Sequence, residues 1–457
     1  MRTRFAPSPT GLLHIGGART ALFAWMYAKS NEGSCLLRIE DTDKERSKDI
    51  YTEEIIKSFK WLGIEFDEDI IHQSANLKDH TVKAYQLLEN GSAYVCNCSK
   101  ERLQELRDNQ QKQGLNPKYD GKCRNLNLDE SPTSVIRFKT PESGDVIFQD
   151  LVKGNVTVDN SEIDDFIILR ADKSPTYNLS VVVDDINMSI SHVIRGDDHL
   201  SNTPKQINIF KALNETVPVY GHVPMIQGED GKRMSKRHGA TGVGEYEEQG
   251  ILPEALLNYL VRLGWSLGDQ EIFSKSDLIK NFKEGNFNSS PSAFSFEKLS
   301  WYNKHYLDQI NDQDLIELID EEYFSDDDYS LKVIRLIRSR CNSITDFALE
   351  SRYFFEAPKD FEEKDIKKAS SEMTRKLLEE FKTSIQTLSR WNSEEINIII
   401  QNIVSNYELG FAKIGLPLRL SLTGTLNSPS VDAVCEILGP EEVVERINYA
   451  QLKCEGF

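Results

Sequence analysis

Three groups of residues in this 457-residue sequence carry side chains and spacings suited to chemistry. The first is Pro7-Ser8-Pro9-Thr10-Gly11-Leu12-Leu13-His14-Ile15-Gly16-Gly17, which leads directly into a helical pattern. Gly16 and Gly17 lack a Cβ, so a flat ring and a phosphate chain can approach the backbone there. The helix start adds partial positive charge for anions. His14 can donate a hydrogen bond to phosphate oxygens whose charge shifts in a transition state. The second group is Gly231-Lys232-Arg233-Met234-Ser235-Lys236-Arg237-His238-Gly239, with four cations in six residues. Glycines on both sides let such a loop close on a triphosphate and neutralise a departing pyrophosphate. The third is Cys96-x-Cys98, then 24 residues, then Cys123. Thiolates at this spacing can supply three ligands of a tetrahedral zinc. Taken singly, each group also has a plainer reading: a tight turn with a surface histidine, a solvated loop, a set of reduced thiols.

The sequence pattern also predicts the scaffold around these groups. RTRFA reads as a short strand broken by PSPTG. Ala18, Ala21, Leu22, Trp25 and Met26 recur at helical spacing, which predicts a helix from about Gly16 to Ser30. CLLRIE then reads as a strand, completing a βαβ unit with ligands expected at the strand C-terminal ends. Helical patterns come next at about 51–62 and 77–89. Residues 94–180 are richer in turns, with strand-like SVIRFKT and NVTVDN, and read as an α+β insertion. SVVVDDI and HVIRGDD read as strands of the resumed sheet, and Thr203-Pro204 as a capped helix start. From about 250 the pattern is mainly helical. Ten acidic residues and no Lys or Arg lie between Leu307 and Ser330, which suggests a boundary there. A basic stripe comes after it at Lys332, Arg335, Arg338 and Arg340. The clearest helix is 393–408, with Ile396, Ile399, Ile400, Ile403, Val404 and Tyr407 on one face.

Composition sets outer bounds. The length gives a prior of about three domains. With 39% hydrophobic and 28% charged residues, a mainly disordered or collagen-like chain is excluded. The balance of 54 basic against 73 acidic residues gives −19, which argues against a histone-like or membrane-surface binder. No apolar stretch approaches ~18 residues and no secretory h-region opens the sequence, so neither a membrane span nor export is expected. Seven cysteines then predict reduced thiols in a cytosol.

The histidine–glycine turn and the lysine-rich loop together resemble the two signatures of class I aminoacyl-tRNA synthetases. RFAPSPTG, LLRIEDTD, HVIRGDDHL, KRMSKRHGA and LPEALLNYLVRLGW closely resemble the bacterial glutamyl-tRNA synthetases. The resemblance is densest over 1–95 and 165–305, and thinner after 310. It implies a Rossmann-type parallel-sheet catalytic domain (1–95 and 181–240) interrupted by an α+β acceptor-stem-binding insertion (96–180). A helical stem-contact domain (241–310) and an all-helical anticodon-binding domain (311–457) would complete the chain.

The implied activity is formation of glutamyl-adenylate from L-glutamate and ATP with Mg²⁺, then transfer to the terminal adenosine of tRNA(Glu). Whether tRNA(Gln) is a second acceptor is left open. By this resemblance Pro7, Thr10, Gly11, His14, Gly16 and Gly17 seat ATP. Arg233, Met234, Ser235, Lys236 and Arg237 take its phosphates, with His14 and Lys236 as the catalytic pair. Arg4, Ala6, Ser8 and Glu40 face the amino acid, and Tyr177, Arg195 and His199 its side-chain end. Arginine's planar fork suits the carboxylates. The loop departs from the family signature at Arg233, where lysine is usual, and the first signature ends in Gly17 rather than histidine. Some family members bind zinc at the cysteine cluster through a histidine two residues after the third cysteine. Here that residue is Asn125, a poor ligand, and Tyr119 is the alternative fourth ligand beside Cys96, Cys98 and Cys123. Arg419, in PLRLSLTG, is the candidate for base reading near the anticodon. A cytoplasmic monomer is the family default. The competing readings are a nucleotidylyltransferase of cofactor synthesis, a shortened glutamyl-queuosine-type homologue and a non-catalytic tRNA-binding paralogue. The first two lack a C-terminal helical half, and retained His14, Lys236 and Arg195 argue against the third.

Overall fold

The structure is a computed structural model describing residues 1–457 except 44, 233, 235–241, 285 and 320. Its chain divides into two compact units, 1–247 with 253–299, and 248–252 with 300–457. The first unit is α/β. Strand β1 (Arg2–Phe5) pairs parallel with β2 (Ser34–Ile39), and β2 with β3 (Ile71–His72). Helix α1 (Ile15–Ser30) makes the crossover between β1 and β2. It is buried on several sides, as its run of alanine, leucine and phenylalanine requires. On the other side of β1, the Ser191 amide donates to Arg2 O at 3.0 Å and leads into strand His192–Gly196. That strand pairs parallel with Val219–Val223, which meets the end of strand Asp145–Asp150. The parallel strands thus place the ends of β1, β2 and His192–Gly196 at one edge, where open α/β sheets bind ligands.

Between Ala93 and Leu169 the chain forms an antiparallel sheet, Ala93–Cys96 with Val135–Phe138 and Ile167–Leu169, and a hairpin of Asp145–Asp150 with Gly154–Asp159. Ile136, Phe138, Val146 and Ile168 share one core with Leu179, Val182, Val193, Phe210 and Tyr220.

Two expectations from the sequence are corrected. SVVVDDI is not a strand but lies in the helix Tyr177–Asn187. Its three valines carry strand propensity, yet Leu179 and the valines pack into the core and the next two residues, Asp184 and Asp185, are buried with polar partners. Tertiary contacts override so weak a local bias. Thr203 is not a cap either. It lies inside the helix Thr203–Ala212, Asn202 occupies the cap position, and the threonine hydroxyl turns to the sheet.

Among its described residues the second unit is all helical. It runs from Asp312–Leu318 through Asp328–Ile337, Ile344–Phe355, Glu363–Ala369, Thr374–Ile385, Ser393–Asn406, Ala412–Thr423 and Val431–Leu438 to Pro440–Lys453. Ser393–Asn406 buries Ile396, Ile400 and Ile403 as its period predicts. Among the described residues no helix is long and apolar enough to cross a membrane.

Candidate functional site

The turn after β1 is built from backbone contacts. The Glu40 amide, at the end of β2, donates to Pro7 O at 2.9 Å, and the Lys48 amide to Pro9 O at 3.1 Å. His14 caps α1, its Nδ1 accepting from the Gly17 amide at 3.1 Å. That bond leaves the proton of the neutral ring on Nε2. A Cβ on Gly16 would lie 3.1 Å from the His14 ring, so glycine lets the ring rest against the helix start. His14 also bridges Gly242, and the Val243 amide donates to Leu13 O at 2.9 Å. The chain that leaves the cation-rich segment is therefore tied to the histidine turn.

Around this turn opens a cleft of about 1010 Å³. Arg4, Ala6, Pro7 and Ser8 reach it from β1 and the turn, with Thr10, Gly11, His14, Gly16 and Gly17 from the turn and helix start. Glu40 comes from the end of β2 and Tyr177 from a helix start. Arg195 comes from the strand His192–Gly196, His199 from the short 3₁₀ segment Asp197–Asn202, and Met234 from the cation-rich segment. Arg233, Ser235, Lys236 and Arg237 lie outside the described residues.

Two arginines of the cleft, Arg4 and Arg195, sit in different electrostatic settings. Arg4 gives Nε and one terminal nitrogen to the two oxygens of Asp185, at 3.1 and 3.2 Å. Arg38, entirely buried, reaches Asp185 at 2.6 Å and Glu40 at 3.2 Å. Burial opposes the Asp185 charge, but Arg4 and Arg38 outweigh it and hold the carboxyl below its usual range. Glu40 goes the other way: burial raises it, and Arg38 and Arg4 offset that only in part. Asp184 takes bonds from Gln73, Asn76 and His80 at 2.8–2.9 Å. Arg195, by contrast, is 5% exposed and, among the described residues, has no carboxylate within 4.0 Å. Its Nε donates to His222 Nε2 at 3.2 Å and its Nη2 to Thr203 Oγ1 at 2.8 Å, while Nη1 is buried without a partner. Burial lowers its affinity for the proton. A buried cation with an unsatisfied nitrogen is costly unless an anion completes it. Beside it, the Tyr177 hydroxyl and His199 Nδ1 are 2.9 Å apart.

Sequence reasoning missed Arg38, Asp184, Asp185, Asp150, Thr203 and His222. Reading SVVVDDI as a strand hid the aspartate pair, since a helix was needed to aim both inward. Arg19 was also missed. It lines the cleft, binds Leu263 O at 2.7 Å and Pro224 O, and burial lowers it to about 10.

The cysteine cluster does not line this cleft and begins at the end of the strand Ala93–Cys96. The sulfurs of Cys96, Cys98 and Cys123 are within 4.8 Å of one another. The Tyr119 hydroxyl is 3.5 Å from Cys96 Sγ and 3.6 Å from Cys98 Sγ, and accepts from the Cys123 amide at 3.0 Å. Asn125 is exposed. Three sulfurs and one oxygen at this spacing fit a tetrahedral zinc.

Residues 1–301 match the family model described as "tRNA synthetases class I (E and Q), catalytic domain", and residues 302–451 the "Anticodon binding domain". The chain is 45% identical to the glutamate–tRNA ligase of Francisella philomiragia over 98% of each sequence. It is 46% identical to that of Francisella tularensis subsp. holarctica, again over 98% of both. Among solved structures, a glutamate–tRNA ligase from Elizabethkingia meningosepticum, in complex with its amino acid, superposes with a TM-score of 0.88 at 31% identity over 100% of both chains. The glutamate–tRNA synthetase of Elizabethkingia anophelis gives 0.84 at 31% identity over 98% of this chain and 99% of that one.

Proposed function

This chain belongs to the class I tRNA synthetases for glutamate and glutamine, as a glutamate–tRNA ligase, and we propose that the cleft of its first unit performs the activation step. The α-carboxylate oxygen of L-glutamate bonds to the α-phosphorus of ATP, and the bond to pyrophosphate breaks. A hydroxyl of the terminal adenosine of tRNA(Glu) then attacks the glutamyl carbonyl, and AMP leaves. Mg²⁺ enters with ATP as part of that substrate. No protein nucleophile is needed, because positioning and charge stabilisation carry phosphoryl transfer of this kind.

The observation that carries the glutamate reading is the buried Arg195, which lines the cleft without a carboxylate partner among the described residues and has Nη1 unpaired. We assign it, with Tyr177 and His199, to the side-chain carboxylate. Glutamine would leave that charge unanswered, a loss of about 1–3 kcal/mol or more. Arg4, Ala6, Ser8 and Glu40 face the α-carbon groups, with Glu40 taking the ammonium. Pro7, Thr10, Gly11, His14, Gly16 and Gly17 seat the nucleotide, and His14 Nε2–H donates to its phosphates. Arg233, Met234, Ser235, Lys236 and Arg237 draw on the departing pyrophosphate.

Residues 96–180 hold the acceptor end in this reading, 241–310 contact the stem and 311–457 reach the anticodon. Cys96, Cys98, Tyr119 and Cys123 would hold a zinc, which supplies a structural cross-link in the insertion when bound. We further propose a cytoplasmic monomer that charges tRNA(Glu), with tRNA(Gln) as a second acceptor to be tested. ATP–pyrophosphate exchange with glutamate, with and without tRNA, tests the core of the reading. Absence of glutamate-dependent exchange in both conditions overturns it. Charging of purified tRNA(Glu) and tRNA(Gln) tests the acceptor range.

A further inference from the structure

Arg195 and His222 are direct neighbours across parallel strands, in register with each other, and Tyr220 is in register with Asp150 on the next strand. Asp150 and His222 are 1% and 0% exposed, with no access to the cleft of their own. Asp150 Oδ1 accepts from the amides of Val152 and Lys153 at 2.9 Å and of His222 at 3.1 Å. Its Oδ2 lies 2.6 Å from His222 Nδ1. An ionised carboxylate only accepts, so the imidazole proton sits on Nδ1 and Nε2 is left as an acceptor. That lone pair faces Arg195 Nε at 3.2 Å and Thr203 Oγ1 at 2.9 Å, and Thr203 Oγ1 in turn accepts from Arg195 Nη2. The Tyr220 ring closes a further side, 5.3 Å from the guanidinium carbon.

The arrangement solves a conflict. A guanidinium that must meet a substrate carboxylate needs rigid support, but a carboxylate as direct support would compete for its charge. Arg4 has such support in Asp185. Arg195 instead has a neutral imidazole between itself and Asp150. We propose that His222 and Asp150 are positioning residues for substrate choice: Asp150 sets the tautomer of His222, and His222 Nε2 with Thr203 Oγ1 fixes Arg195 with Nη1 free for the side-chain carboxylate of glutamate. This rests on the reading of Arg195 as the side-chain ligand.

Asp150→Asn is the sharp test. Its amide oxygen can keep the three backbone donors, but its –NH₂ faces Nδ1–H, and two donors cannot face each other. The His222 proton moves to Nε2, where it opposes Arg195 Nε–H. Exchange kinetics with tRNA(Glu) present should show the glutamate KM raised about tenfold or more, the ATP KM changed less than about twofold, and the preference for glutamate over glutamine reduced about tenfold. His222→Gln, whose amide oxygen can replace the Nε2 acceptor, should keep most of the glutamate affinity, whereas His222→Leu should lose it as Asp150→Asn does. An unchanged glutamate KM in folded Asp150→Asn overturns the proposal, as does equal loss in His222→Gln and His222→Leu. Arg195→Lys separates the two readings. If it leaves the glutamate KM unaltered while wild type is active, the assignment of Arg195 fails and the dyad has no substrate role. If it raises that KM, the dyad result stands on its own.

Discussion

Arg4 Nε and Asp185 Oδ1 are 3.1 Å apart, and the same oxygen lies 2.6 Å from Arg38 Nη1. One aspartate on a buried helix thus ties the strand that opens the cleft to the strand that closes it. Removing one member of such a buried ionic group leaves the others uncompensated, at a cost of about 3–5 kcal/mol. Asp185→Asn should lose stability of that order in urea unfolding at neutral pH. The native carboxyl is held below its usual range, so its contribution is present above that range and is lost as pH falls through the folded value. The stability gap between wild type and Asp185→Asn should therefore narrow steadily on acidification. A gap that stays constant down to the acid transition removes this account.

His14 has two duties that can be separated. Its Nδ1 caps α1, and in the proposed reading its Nε2–H donates to phosphate. Alanine removes both, and loss of a cap alone costs about 1 kcal/mol. Asparagine is a good cap but does not extend as far. His14→Asn should keep the melting temperature within a few degrees while glutamate-dependent exchange falls about a hundredfold. Affinity for tRNA should be nearly unchanged in both variants. Equal loss of tRNA affinity and exchange would make the histidine a folding residue.

Much of this site was legible because its pieces are local. PSPTG must turn, Gly16-Gly17 must open a backbone, and the period of Ala18 to Met26 must form a helix behind them. The supporting charges were not legible, since they are joined by tertiary contact alone. Nothing in Val181-Val182-Val183 announces that Asp184 and Asp185 will be buried beneath Arg38. His222 lies in an ordinary strand, and only the parallel register with His192–Gly196 sets it beside Arg195. In the second unit the helical spacing of isoleucines marked a helix correctly, whereas the partners of the basic stripe could not be read from its spacing. Lys332 pairs with Asp328, Arg335 and Arg338 with Asp312, and Arg340 with Glu350, all at 2.6–2.8 Å. These cations are partnered within their own unit.

The cysteine cluster predicts a metal content. Protein expressed with zinc available should carry about one zinc per chain by elemental analysis, and Cys123→Ser should lose it. Tyr119→Phe should weaken retention against a chelator while keeping the three sulfurs. Less than about 0.2 zinc per chain in wild type rejects the site, and the four side chains then pack as a metal-free core.

The helical unit makes the last prediction. Arg419 Nε donates to Ser428 Oγ at 3.0 Å, and among the described residues no carboxylate lies within 4.0 Å of it. Burial and the neighbouring Arg340 lower its proton affinity, so it stands among positive charge rather than against a counter-ion. A cation in that state gains more from an RNA partner than one already paired. Arg419→Ala should weaken tRNA(Glu) binding and, if the contact is to a base, do so by about 1–3 kcal/mol without altering the salt slope. If the contact is to a phosphate, the slope of log K against log salt should fall by about one. Arg335→Ala, which gives up an ion pair with Asp312, should change binding by less than either. A larger effect at Arg335 than at Arg419 would place the RNA track on the basic stripe and take the base-reading role from Arg419.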